Sequence, residues 1–428
     1  MLHQTELKSA HRKIMRIFFS VGEPSGDLHG ANLIREFKRQ NPSIECVGFG
    51  GPKMVQAGLD AHFDLTQYAV MFFWQVLGKL KTFYQLYRTA AKFLNENQVD
   101  AVVLIDYPGF NWWIAKAAKR NNIPVFYFGV PQMWAWGGWR IRKLRKRVDH
   151  VICKLPFEQK WFSTRNCPAE YVGHPYMDEL ANRPLDKTFV NDYAAPHSRL
   201  LTLLPGSRDQ EVYNNLDWML DAAQTVTQRF DDVQVAIACY NAEQASYVQD
   251  RTRKLGLPFD VMSGRTAELI RLADVCLACS GSVSLELMYH RKPSVIIYRI
   301  STLQYLLKTI FLKVPYITLV NLIWMQDLDR KWSEMPAGAS SELPFPEFVR
   351  VGSPVSEISL HLRRLLSRPA VYQQAVERID KVATMVEQKG ATVRAANTIL
   401  TALARRSSSQ INATYGIDND LISERRAA

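Results

Sequence analysis

Four stretches of this 428-residue chain carry residue types able to do chemistry. Gly22-Glu23-Pro24-Ser25-Gly26-Asp27 follows a short apolar run and precedes a helical pattern. Backbone N–H groups and the helix dipole at such a turn favour an anion. The loop is neither the dinucleotide G-x-G-x-x-G nor the phosphate loop G-x-x-x-x-G-K-[ST], and a structural turn with Asp27 as a first-turn acid competes with a functional reading. Asp106 ends the apolar run Ala101–Ile105 and precedes Tyr107-Pro108-Gly109-Phe110-Asn111. A carboxylate there, partly desolvated by Phe110 and Trp112, is placed to take a proton from a hydroxyl nucleophile. Capping of the following helix is the rival role.

The second half supplies two more strand-to-helix loops. In Leu204-Pro205-Gly206-Ser207-Arg208 the N–H groups and Arg208 suit a diphosphate. In Cys279-Ser280-Gly281-Ser282-Val283-Ser284-Leu285-Glu286 small residues let a ligand approach a helix start, and Glu286 lies one turn in, placed for ribose hydroxyls. Two phosphate-type loops and a downstream acid suggest a nucleotide-diphosphate donor site. Other candidates are weaker. Cys276-x-x-Cys279 lacks a second pair or a histidine partner and reads as core. Asp327 and Asp329 have the spacing of a metal-binding pair, but spacing alone is thin support. His174, in Gly173-His174-Pro175, faces either the cleft or a turn.

These loops need a scaffold, and the periodicity describes one. Short continuous apolar runs at 16–21, 45–49, 101–105 and 124–128 alternate with helical patterns, the signature of a parallel sheet covered on both faces. The series restarts at 200–204 and continues at 233–239, 274–279 and 294–298. The fold class is therefore α/β, with two Rossmann-like doubly wound domains facing across a cleft. The first spans 1–185 and the second 198–384, joined by a polar linker near 182–198; residues 405–428 have weak periodicity and read as a mobile tail. Ligands in such sheets sit beyond the carboxyl ends of the strands, which is where the four loops fall.

Composition narrows the setting. With 22% charged and 47% hydrophobic residues the chain reads as globular rather than disordered or fibrous. No apolar run reaches the roughly 20 residues of a membrane span, and the N-terminus lacks the apolar core of a secretory signal. Six cysteines make no disulfide framework, so reduced thiols in a cytoplasm are expected and Asn412-Ala413-Thr414 is not a glycosylation site. The net charge of +12 is uneven: residues 1–185 hold 25 basic and 15 acidic side chains. That asymmetry suits nucleic acid, an anionic membrane or a phosphorylated substrate. Three segments favour a membrane surface: 71–84, with Phe72, Phe73 and Trp74; 140–147, with Arg140, Arg142 and Lys143 beside Trp134, Trp136 and Trp139; and 302–314. Buried helices and a solvated face are the rival readings.

Taken together, the motifs resemble the lipid-A-disaccharide synthase family. The likeness rests on GEPSGDLHGANLI (22–34), GFGGPKM (48–54), LIDYPGFN (104–111), VPQMWAW (130–136), LPFE (155–158), VGHP (172–175), LLPGSRDQEV (203–212), SGSVSLE (280–286), Tyr298-Arg299, YITLVNLI (316–323) and PEF (346–348), in family order. The resemblance implies a GT-B architecture, with helices at about 385–404 crossing back onto the first domain. It implies transfer of 2,3-diacylglucosamine from its UDP derivative to 2,3-diacylglucosamine 1-phosphate, giving a β-1′,6-linked disaccharide phosphate and UDP with inversion. By motif position Asp106 becomes the base, with Ser25 and Asp27 at the reaction centre. Gly206, Ser207, Arg208, Ser280, Gly281, Glu286, Arg299 and Asn321 fall at the donor nucleotide. Phe72, Phe73, Trp74, Arg140, Arg142 and Lys143 form an acceptor and membrane surface.

No metal or cofactor is implied. The partners expected are the two lipid substrates and the inner membrane, with peripheral cytoplasmic placement and no nucleic acid; the oligomeric state, a homodimer included, stays open. The chain departs from the family pattern at Met71-Phe72, at the loop Gly137-Gly138-Trp139-Arg140, at Val320 and in an apparent insertion at 326–342, which bears on acyl specificity. Two alternatives remain. One is a GT-B transferase or epimerase acting on a soluble UDP-sugar; the other is a basic nucleic-acid-binding protein using 140–147.

Overall fold

The computed structural model describes residues 14–68, 79–194, 199–329 and 336–415. The first sheet has seven strands: β1 (Arg16–Val21), β2 (Glu45–Phe49), β3 (Leu59–Phe63), β4 (Ala101–Ile105), β5 (Val125–Phe128), β6 (His150–Cys153) and β7 (Ala169–Tyr171). Their spatial order is β3-β2-β1-β4-β5-β6-β7, and every pairing is parallel. The second sheet, also parallel, comprises β8 (Arg199–Leu204), β9 (Val233–Cys239), β10 (Asp260–Ser263), β11 (Val275–Cys279), β12 (Ser294–Arg299) and β13 (Glu347–Arg350). Its order is β10-β9-β8-β11-β12-β13.

Continuous apolar strands follow from burial on both faces. Phe18 and Val102 pack with Leu86, Leu94 and Ile114 on one side. The next residues along the same strands, Phe19 and Val103, pack with Leu33, Phe37, Ala395 and Ile399 on the other. Successive strand residues point to opposite faces, so a strand with two covered faces has no polar stripe. Each such fully buried side chain contributes about 1.5–3 kcal/mol relative to exposure.

In both sheets the strand order reverses beside the first strand, between β1 and β4 and again between β8 and β11. Loops leaving adjacent strands there diverge to opposite faces and open a crevice. Val21 lies in register with Ile105, and Leu204 with Ala278. The four candidate loops therefore emerge in two adjacent pairs, one at each crevice.

Two sequence expectations change. The connection at 182–198, read as a polar linker, contains the helix Lys187–Ala194. Its Phe189 and Tyr193 rings stack one turn apart at 5.4 Å, Arg265 lies over Phe189, and the Tyr193 hydroxyl donates to Asp260. Aromatic residues spaced i, i+4 give a short segment an anchored face. At the C-terminus, the helix Ala391–Tyr415 runs past 405, where the tail was expected to begin. Ala395, Ala396, Ile399 and Leu403 bury against the first sheet's helix Pro24–Gln40, while Arg394 Nε donates to Val172 O at 2.8 Å. Among the described residues no helix is long and apolar enough to cross a membrane.

Candidate active site

Asp106 and Tyr107 leave β4 in consecutive left-handed conformations, φ 46° and 45°. Non-glycine residues rarely adopt this region, and each costs on the order of 1–3 kcal/mol unless the surroundings hold it. Here they do. Asn111 Nδ2 donates to the Asp106 carbonyl at 2.8 Å and to Ser20 O at 3.1 Å, while its Oδ1 accepts from Ser20 Oγ at 2.6 Å. Tyr127 Oη donates to the same Asp106 carbonyl at 2.7 Å. Both clamps are fully buried. The turn thus presents the Asp106 carboxylate at the crevice, partly exposed.

Of the residues expected to desolvate it, Phe110 packs on Phe49 and Phe83, and Trp112 on Tyr127. The neighbour that matters is Lys154, just past β6, whose Nζ lies 3.5 Å from Asp106 Oδ1. Between them, just past β5, is Gly129 at φ +67°. A Cβ there would stand 2.8 Å from Lys154 Nζ and 2.9 Å from Asp106 Oδ1. Three adjacent strand ends thus carry a carboxylate, a gap and a cation, and only glycine fits the gap.

Glu23 faces this pair. Burial and the Asp106 charge push its carboxyl up from the usual value, against the downward pull of Lys154 and Arg208. Behind Lys154 stand two histidines kept neutral by burial and by its charge: His29, pushed down to about 3, and His174, held well below its usual value. His174 Nδ1 caps the helix Pro175–Asn182 by accepting from Tyr176 N at 3.2 Å. Lys154 and Tyr127 were missed from sequence. Only Lys154's place beside LPFE hinted at it, and Asn111 was quoted only as part of a motif.

The second crevice opens into a cavity of about 930 Å³ lined by Glu23, Gly206, Ser207, Arg208, Ser280, Gly281 and Glu286, among others. Six of the sequence-predicted donor residues thus share one space with the first domain. Gly206 sits at φ +129°. The loop's donors are partly engaged already: Ser207 N and Arg208 N donate to Glu211 Oε2 at 3.3 Å, and Arg208 Nη1 to Glu211 Oε1 at 2.9 Å. An anion is thus already held where the loop was expected to hold one. Glu286, buried, accepts from Tyr176 Oη and Arg183 Nη1, each at 2.7 Å. Its carboxylate faces the cavity but is held from the first domain's side.

Three predicted residues are elsewhere. Asp27 is buried, and its carboxylate accepts from Gly51, Lys53 and Met54 N–H at 2.9, 3.0 and 3.1 Å. It caps the helix Pro52–Gln56, a structural role that takes up three of its acceptor positions. Asn321 is fully buried, bonded to Phe345 and Glu347, and offers a nucleotide nothing. Arg299 is exposed with its guanidinium over the Trp218 ring, 5.2 Å from the centroid, and is not among the cavity's lining residues. Ser25 is exposed at the start of helix Pro24–Gln40.

Asp327 and Asp329 pair with Lys160 and Arg165. Cys276 and Cys279 are buried in β11. Phe72, Phe73 and Trp74 lie outside the described residues. Arg140 lies over Trp136 at 4.1 Å, and Arg142 and Lys143 are exposed on the helix Ile141–Arg147. Trp136, Trp139, Leu303, Leu306 and Phe311 are exposed too, and Lys313 N donates to Ala135 O at 2.7 Å, which ties the end of the helix Thr302–Phe311 to the tryptophan loop.

Comparison with known proteins bears on the family and on the fold. The family model described as lipid-A-disaccharide synthetase matches residues 17–333. The lipid-A-disaccharide synthase of Geobacter sulfurreducens is 28% identical over 394 residues, covering 91% of this chain and 98% of that protein. That of Nitrosococcus oceani is 33% identical over 304 residues, 71% and 79% of the two chains. Among solved structures, a S. aureus MnaA–UDP co-structure is similar at TM-score 0.58 and 10% identity, covering 91% of this chain and 97% of that one. The calicheamicin glycosyltransferase CalG4 is similar at TM-score 0.57 and 14% identity, covering 91% and 98%. At such identities these structures speak for the fold, a GT-B arrangement.

Proposed function

The chain belongs to the lipid-A-disaccharide synthetase family, and from that premise we propose how its two crevices carry out the reaction. It is a UDP-sugar glycosyltransferase that joins 2,3-diacylglucosamine from its UDP derivative to 2,3-diacylglucosamine 1-phosphate in lipid A synthesis. The acceptor 6-hydroxyl attacks the donor's anomeric carbon from the face opposite UDP. The new C–O bond forms as the bond to the β-phosphate oxygen breaks, the configuration inverts, and the hydroxyl proton passes to Asp106. The observation that supports this role is the partly exposed Asp106 carboxylate, held on a clamped left-handed turn and paired at 3.5 Å with Lys154. A base so fixed loses no orientation when substrate arrives.

The departing diphosphate leaves with a growing negative charge. The loop Gly206-Ser207-Arg208 faces the cavity with backbone N–H groups and a guanidinium, which stabilise such charge where it develops. For the phosphate to use them Glu211 must share or release them, because its carboxylate accepts from all three donors now. Glu286 keeps its assignment to ribose, with the hydroxyls replacing Tyr176 or Arg183 as its partners. Ser25 remains a reaction-centre residue by motif position and exposure.

Both substrates carry acyl chains, so the enzyme works at the cytoplasmic face of the inner membrane as a peripheral protein. The exposed Trp136, Trp139, Leu303 and Phe311, with Arg142 and Lys143 nearby in sequence, support that placement. The experiment is Asp106→Asn: the variant keeps its melting temperature and its affinity for UDP and turns over at least ~100-fold more slowly. Normal turnover would remove Asp106 from the role.

A further inference from the structure

A second cavity, of about 710 Å³, lies on the other side of Glu23 from the donor site. Its walls are the helices Leu80–Glu96 and Pro108–Arg120. Phe83 packs against Tyr107 at 6.5 Å and Phe110 at 5.9 Å, and Tyr87 against Trp113 at 5.8 Å. The inner end is Glu23 and Tyr107, the neighbours of Asp106 in charge and in sequence; burial and Glu23 push the Tyr107 hydroxyl up to about 12, so it stays neutral. The outer end is exposed: Leu80 is 55% accessible, Tyr84 60% and Trp113 53%. Lys116 Nζ stands 5.9 Å from the Trp113 ring centre, and Lys79 and Lys81 flank Leu80 in the open. The groove is therefore apolar along its length, polar where it meets the base, and rimmed by cations at its mouth.

We infer that this groove holds an acyl chain of the acceptor. The inference rests on the synthase reading of the site and extends it to a subsite. Glu23 lines both cavities, so the two spaces meet at Glu23, and the groove's Tyr107 is the residue next to Asp106 in sequence. A molecule whose hydroxyl sits at Asp106 and whose body lies on the first domain has this groove as its apolar extension. An amphiphile with a sugar head and a hydrocarbon chain matches that order of polarity. Transfer of methylenes from water to the aromatic wall drives its seating, and the basic rim suits the anionic headgroups from which it is drawn.

Gly109 gives a test that leaves the walls intact. It lines the groove, and a Cβ built on it meets nothing within 4 Å, so Gly109→Leu is expected to fold and to take up groove volume. The experiment compares wild type and Gly109→Leu with a long-chain acceptor and with an acceptor bearing only short acyl groups, at constant donor. UDP affinity and melting temperature serve as folding controls. The expected result is a KM for the long-chain acceptor raised about tenfold or more, with the short-chain acceptor changed less than about threefold. Trp113→Ala, at the exposed mouth, is expected to raise the long-chain KM in the same selective way. Equal effects on both acceptors, or none, would overturn the assignment. A penalty that follows the donor's chain length instead would give the groove to the donor. Failure of wild type to use either acceptor, with UDP still bound, would overturn the synthase reading itself.

Discussion

Lys154 Nζ stands 3.5 Å from Asp106 Oδ1 across the empty Cβ position of Gly129. The pair spans three neighbouring strand ends, and Glu23 faces it from the β1 loop. The cation offsets the repulsion between the two acids. Lys154→Met is therefore expected to slow turnover at neutral pH by about tenfold with UDP affinity held, while Lys154→Arg restores part of the loss. A rate unchanged by Lys154→Met would make Lys154 a packing residue.

Gly129→Ala perturbs the same contact without changing a charge. The added methyl group must displace Lys154 or Asp106, and the positive φ penalises any side chain there. Turnover is expected to fall at least tenfold with UDP affinity held, as read by steady-state kinetics and titration calorimetry.

Asp27, in the first turn of the helix Pro24–Gln40, and Asp106, just past β4, should fail in opposite ways. Asp27→Ala removes three hydrogen bonds from backbone N–H groups, two of them fully buried, a loss on the order of 3 kcal/mol. Its melting temperature should fall by several degrees with activity per folded molecule retained at low temperature. Asp106→Asn should do the reverse. A stable but inactive Asp27→Ala would return Asp27 to the reaction centre.

Glu286 offers its two oxygens to Tyr176 and Arg183 in this structure. If ribose replaces one of them, Glu286→Gln keeps most of the shape and loses the charge. UDP binding is expected to weaken about tenfold, the scale of one charge-assisted hydrogen bond. Unchanged UDP affinity would leave Glu286 as an interdomain tie.

His29 makes stability depend on pH. Burial first, then Lys154 and Lys53, push it down to about 3 in the folded chain, against about 6.5 when unfolded. The unfolded chain therefore binds the extra proton between those values. Stability is fully present above about pH 6.5 and is lost as pH falls toward 3, with a slope of up to about 1.4 kcal/mol per pH unit from this group. His29→Asn, measured by denaturant unfolding from pH 4.5 to 7, should flatten that slope. Glu179 Oε1, 3.5 Å away and buried without a hydrogen-bond partner, faces the substituted side chain, so the variant's stability at neutral pH is the control.

Periodicity revealed the two parallel sheets because strands covered on both faces must be apolar throughout, as Phe18 and Phe19 are. It placed the loops at strand ends because Gly22, Asp106, Gly206 and Ser280 each break an apolar run. It could not separate Asp27 from Asp106: both are acids after a strand, and only the path of the helix Pro52–Gln56 decides which one is consumed by backbone N–H groups. The placing of Asn321 and Arg299 was beyond it for a related reason, since motif position gives order along the chain and says nothing about facing. Lys154 was invisible because its meaning depends on Gly129 and Asp106, which lie 25 and 48 positions away in sequence and meet only when β4, β5 and β6 pair. The helix Lys187–Ala194 hid in a polar stretch whose anchors are two aromatic rings.

The central claim is sugar transfer between two lipids with Asp106 as the base. Its most direct test mixes wild type or Asp106→Asn with UDP-2,3-diacylglucosamine and 2,3-diacylglucosamine 1-phosphate in detergent and follows the lipid product by mass and by anomeric NMR. The account predicts a β-linked disaccharide monophosphate and one UDP per turnover from wild type, and at least ~100-fold less from the variant. An α-linked product, a free sugar without disaccharide, or equal turnover by the two proteins would contradict it.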